Sequence, residues 1–251
     1  MPLVLLHGLL ASLGNWQVVA RRLALEHRVI ALDLPHHGLS SHDGAVAYGD
    51  MVGQLCALLD ELALPRVNLL GHSLGGKLAM LLALRHPGRV QRLIVEDIAP
   101  RAYPNRYQEF IEAMLAMDLG AISSRRDANR QLSAVVPEQA LRHFLLTNLV
   151  HADGAWSWRA NLRALCEGAE RLGEFPATGM AAHAGPALFV YGEHSQYMSA
   201  ADGQVVHSHF PHADMQCIAG AGHWVHSDQP GRFCAVVERF LSGYPSMPVV
   251  D

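Results

Sequence analysis

Gly71-His72-Ser73-Leu74-Gly75 sets a serine between two glycines, directly after an apolar run and directly before a helical pattern. A serine on a sharp strand-to-helix turn can act as a nucleophile. The glycines two places to either side let strand and helix approach without Cβ clashes. The helix that follows aims the Leu74 N–H and its positive end at the place where an oxyanion would form. A second glycine loop, His7-Gly8-Leu9-Leu10, follows the first apolar run, and its Leu9 N–H is the other candidate donor, with the Leu9 and Leu10 side chains expected to line an acyl pocket. Serine needs a base, and His223 in Gly220-Ala221-Gly222-His223-Trp224 stands after the last apolar run and before the last helical pattern. Of its competitors, His72 is expected to face sideways beside the serine, His7 belongs to the glycine loop, and His226 begins the terminal helix.

An acid must orient the base, and two strand ends compete for it. Asp97 lies at the carboxyl end of the strand next to that of Ser73 and is the assignment; Glu193, one residue past Gly192, is the alternative. Ser195, three residues past that glycine, has no charge with which to orient an imidazolium.

These residues need a sheet to bring them to one edge. Six short apolar runs, at 3–6, 28–32, 67–70, 92–95, 187–190 and 215–218, alternate with helical patterns, which predicts an α/β fold with a doubly wound, mostly parallel sheet. The alternation fails between about 100 and 182, where charge, Met and Trp are enriched and helical stretches follow one another without strands; an inserted helical cap is expected there. A loosely anchored tail is expected from Ser242 to Asp251.

Composition removes several function classes. The chain has 251 residues, half of them apolar, enough for one large core. A net charge of −4 supplies no general positive field for nucleic acid. Four scattered cysteines form no CxxC, so neither a disulfide scaffold nor a zinc ribbon is indicated. No apolar run reaches the roughly 20 residues of a membrane span, and the first one lacks a basic leader, so a cytoplasmic protein without membrane partners is expected.

Five stretches, HGLL at 7–10, DLPHHGLSS at 33–41, GHSLGGK at 71–77, EDIAP at 96–100 and GAGHWVHSDQP at 220–230, together resemble the α/β-hydrolase superfamily. More narrowly they resemble its small bacterial carboxylesterase and acyl-thioesterase subgroup with a helical cap, and W-x-W-R-x-N-L at 156–162 aligns within that cap. The resemblance implies an acid after the family's sixth strand, which matches Asp97, and a cap over the site. It implies a cofactor-free serine esterase acting on small carboxylic esters or thioesters. A thioesterase acting on acyl-CoA and a C–C bond hydrolase are the alternatives within the fold, while Ser73 excludes the relatives with an aspartate nucleophile. Family members carry two antiparallel strands before the HG strand, which here begins at Leu3; an open sheet edge near Leu3, and with it a homodimer or a covering segment, is therefore expected.

Competing readings attach to other residues. Asp33 is read as structural, holding the turn after its strand. His207, His209 and His212 have a spacing that could seat a metal, but a solvated face is the preferred reading and no metal is assigned. Trp156 and Trp158 are read as cap core. Gly71 to Lys77 also fits G-x-x-x-x-G-K, the signature of a P-loop nucleotide binder, yet Leu78 stands where the Mg²⁺ ligand should be. A pseudo-hydrolase that only binds is the remaining non-enzymatic reading.

Overall fold

In the computed structural model, residues 1–104, 107–177 and 179–243 are described. Strand β1 (Leu3–Leu6) leads to α1 (Gln17–Leu23), β2 (Val29–Leu32), α2 (Tyr48–Glu61), β3 (Val67–His72), α3 (Leu74–Arg85) and β4 (Val90–Glu96). After a long intervening segment come β7 (Ala187–Gly192), α9 (Gly203–His209), β8 (Ala213–Ile218), α10 (Val225–Asp228) and α11 (Pro230–Leu241). The segment itself holds α4 (Gln108–Leu115), α5 (Arg125–Leu132), α6 (Gln139–Leu145), a hairpin of β5 (Leu149–Ala152) and β6 (Ala155–Trp158), α7 (Leu162–Glu167) and α8 (Ala169–Gly173). The sequence reading allowed no strands in this stretch. The hairpin departs from that reading, built on the turn Asp153-Gly154 with both residues at positive φ, the backbone that closes a two-residue hairpin.

The six core strands lie in the order β2-β1-β3-β4-β7-β8, all parallel. Their apolar runs are continuous because both faces are covered. In β1, Val4 and Leu6 enter the core beneath α2 and α3, whereas Leu3 and Leu5 enter the core beneath α1 and α11. An open edge was expected near Leu3. Instead β1 is paired on both sides, and the edge strand is β2, whose four residues are all partly exposed. The chain returns from α1 to the outer side of β1, which moves the open edge one strand outward. Residues 244–251 of the expected loose tail lie outside the described residues.

Parallel strands put their carboxyl ends on one edge, and β1, β3, β4, β7 and β8 there deliver the loops that carry His7–Leu10, Ser73, Asp97, Glu193–Tyr197 and His223.

Candidate active site

Ser73 sits between β3 and α3 at φ 49, a left-handed backbone that a side-chain-bearing residue adopts at a cost. The close approach that holds it there requires the flanking glycines: a Cβ on Gly71 would fall 2.2 Å from the Gly75 carbonyl oxygen, and one on Gly75 would fall 2.4 Å from that of Leu6. The Ser73 N–H donates to the Glu96 carbonyl and that of Gly75 to the His7 carbonyl, so the turn is fixed to β4 and β1. Asp97 is also left-handed, at φ 52, with its N–H donating to the Val190 carbonyl.

His223 presents Nδ1 to Asp97 Oδ2 at 2.6 Å. The same carboxylate accepts the Gly192 N–H at 3.1 Å and the Ser195 hydroxyl at 2.5 Å. Burial pushes the Asp97 carboxyl up, and the Ser195 hydroxyl and Gly192 N–H oppose it. Burial pushes the His223 imidazole down, which leaves it neutral and able to accept a proton near pH 7. The Tyr197 ring stacks on His223 with centroids 3.9 Å apart. Glu193 is turned away and exposed, its carboxylate accepting the Gly220 N–H. Ser73, Leu9, His72 and His223 line one cavity with Trp16, Tyr107, Phe144 and Trp224. A second cavity that also reaches Ser73 and Leu9 is walled by Leu74, Lys77, Ile98, Tyr103, Leu172 and Tyr197. Leu10 does not line either cavity: at φ 58 its side chain turns into the core, against the sequence expectation.

Residues 1–230 match the family described as the alpha/beta hydrolase fold. The chain belongs to this family. It is 38% identical over 248 residues to the sn-1-specific diacylglycerol lipase ABHD11 of Xenopus laevis, covering 96% of this chain and 79% of that one. It is 33% identical to the esterase YbfF of Escherichia coli, over 96% of this chain and 93% of the relative. A solved structure titled a marine microorganism esterase superposes with a TM-score of 0.91 at 34% identity, covering 95% of this chain and 94% of that one.

Within this α/β hydrolase, two arrangements escaped the sequence reading. Ser195 was judged by its lack of charge, whereas its hydroxyl reaches the same oxygen of Asp97 that His223 holds. Glu96, fully buried, grips His226 through the His226 N–H at 2.8 Å and through Nδ1 at 2.8 and 3.0 Å. Burial alone would raise the Glu96 carboxyl; the charge of His226 and its hydrogen bonds, with His72 beside it, hold it below the usual range. Consecutive acids at 96 and 97 facing histidines three apart, at 223 and 226, were a usable signal. His226 lies in the short α10, one element before the terminal helix.

Asp33 accepts the Leu13 and Leu39 N–H groups, the structural role expected of it. Lys77 Nζ donates to the carbonyls of Leu172, Gly173 and Glu174, so the lysine of the P-loop-like signature faces the end of α8. His207 Nε2 donates to the Ala213 carbonyl and His209 packs against Phe175. The Trp158 indole N–H donates to the Met114 carbonyl, within the intervening segment. No helix among the described residues is long and apolar enough to cross a membrane.

Proposed function

We propose that this α/β hydrolase is a serine carboxylesterase that cleaves small carboxylic esters or thioesters through an acyl-enzyme and without a cofactor. The observation that carries the reading is the Asp97–His223 hydrogen bond beside a Ser73 held at positive φ on the same cavity. Ser73 attacks the acyl carbon while His223 takes the hydroxyl proton and then delivers it to the leaving group. Asp97 fixes the His223 tautomer with its proton on Nδ1 and stabilises the cation, and Ser195 supports Asp97. The Leu9 and Leu74 N–H groups stabilise the oxyanion. Water activated by His223 then releases the acid.

The segment from about 100 to 182 acts in this reading as a cap, supported by its placing Tyr103, Tyr107, Phe144 and Leu172 around Ser73. Its walls favour short acyl chains. The relatives named esterase and lipase support ester substrates over C–C bond cleavage. The free thiols of Cys56, Cys166, Cys217 and Cys234 accord with a cytoplasmic site of action. A panel of p-nitrophenyl esters and acyl-CoA thioesters tests the assignment: Ser73→Ala should abolish turnover and phosphonate labelling with the fold intact. Wild-type turnover by that variant would sink it. Faster cleavage of long-chain than of acetyl or butyryl esters would overturn the chain-length assignment.

A further inference from the structure

The two oxyanion donors are secured differently. Leu74 is the first residue of α3, whereas Leu9 belongs to an irregular loop that needs anchoring from elsewhere. The residue after it, Leu10, is fully buried and left-handed at φ 58, a conformation a leucine keeps only when its surroundings impose it. Relaxing Leu10 would swing the Gly8–Leu9 stretch to which the donor belongs.

Both main-chain polar groups of Leu10 are held by buried side chains from distant parts of the chain. Its N–H donates to His37 Nε2 at 3.1 Å, and its carbonyl accepts Asn148 Nδ2 at 2.7 Å. His37 gives its Nδ1 proton to the Pro35 carbonyl at 2.9 Å, and burial pushes its imidazole down to about 3, so Nε2 stays an acceptor. Asn148 comes from the segment between β4 and β7, in the turn between α6 and β5. That turn is itself braced: the Arg125 guanidinium donates to the Leu146 and Leu149 carbonyls at 2.5 and 2.6 Å, and the Asn148 carbonyl accepts the Arg159 N–H at 2.8 Å. A second tie joins the same two regions, the Asn161 N–H donating to the His36 carbonyl at 2.9 Å.

We propose that Asn148 is a positioning residue of the oxyanion loop, reaching from the cap to hold Leu10 against His37 and so keeping the Leu9 N–H aimed at the developing oxyanion. The inference rests on the reading of Leu9 as a donor. It couples the seating of the cap to catalytic competence: the element that encloses the substrate also completes the geometry that stabilises the transition state.

The test compares p-nitrophenyl acetate with the thionoester in which C=S replaces C=O. Sulfur is a larger and weaker acceptor, so a well-set hole favours the oxygen ester and a loosened one narrows that preference. Asn148→Leu should lower kcat on the oxygen ester about 10- to 100-fold with KM changed less than about threefold. The ester-to-thionoester ratio should fall about tenfold. His37→Leu should do the same, and His37→Gln, whose amide oxygen can accept the Leu10 N–H, should recover most of the loss. If Asn148→Leu does not fold, Asn148→Ser is read by the same ratio. Wild-type kcat, or equal losses on both substrates, would overturn the proposal. Wild-type turnover that Ser73→Ala abolishes is established first; its absence would sink the hydrolase reading, whereas an unchanged ratio in the Asn148 variant sinks only this one.

Discussion

Acidification probes His7, His37 and His72, three imidazoles that the fold holds neutral inside the protein. All three are buried, at 1%, 0% and 4% exposure, and burial pushes them down to about 4, about 3 and about 3. Their partners are backbone groups: His7 and His37 accept the Leu34 and Leu10 N–H groups, and His72 Nε2 donates to the His223 carbonyl. Asp33 beside His7 and His37, and Glu96 beside His72, favour the cations but do not outweigh burial. In the unfolded chain the three titrate near 6.5, so between that pH and about 4 the unfolded chain binds more protons than the folded one. Stability is therefore fully present above about pH 6.5 and is lost as the pH falls. Three such groups give a slope of about 4 kcal/mol per pH unit, and a drop to pH 4.5 removes about 8 kcal/mol, comparable with the whole stability of a typical domain. Asp97 and His223 add little net to this slope, because burial pushes the carboxyl up and the imidazole down and the two contributions oppose. Urea unfolding followed by tryptophan fluorescence from pH 8 to 4.5 should show a plateau and then this slope, and His37→Gln should reduce the slope by about a third. A free energy unchanged between pH 7.5 and 5, or a slope that His37→Gln leaves alone, would refute the reasoning.

Asp97→Asn should cost as much as about 10⁴-fold in kcat, while Glu193→Gln, bonded to Gly220 and exposed, should cost little; both are measured on one p-nitrophenyl ester. Ser195→Ala removes one of the donors that stabilise the Asp97 carboxylate and should lower kcat about tenfold with KM little changed. The open edge at β2 should support pairing with a second copy, which sedimentation over a range of concentrations would show as reversible dimer formation. A monomer throughout would refute it.

The strand runs were readable because a parallel sheet covered on both faces leaves continuous apolar stretches, and Gly71 and Gly75 because a close backbone crossing tolerates no side chain. Chain order and strand ends were enough to bring Ser73, Asp97 and His223 to one edge. What escaped depends on where a side chain turns once the backbone is set. Leu10 reads as pocket lining until its positive φ sends it inward. Ser195 reads as a failed acid until its hydroxyl is seen on Asp97, and Glu96 reads as a strand residue until His226 arrives from 130 residues away. The edge was misplaced because pairing order between strands is a property of three dimensions, and no local pattern in Leu3–Leu6 or Val29–Leu32 records it.

The Lys77 ammonium has a bearing on how substrate gets in. Its three protons go to three successive carbonyls, Leu172, Gly173 and Glu174, and the Leu172 oxygen also accepts the Tyr48 hydroxyl. Swinging the end of α8 outward as a rigid flap would strip these bonds at once and leave a cation over the rings of Tyr48 and Tyr103 without its acceptors. Stranding buried polar groups in this way costs several kcal/mol. On the proposed reading, hinged opening at this corner would have to meet that cost, so the end of α8 serves as a fixed wall of the site and not as a flap.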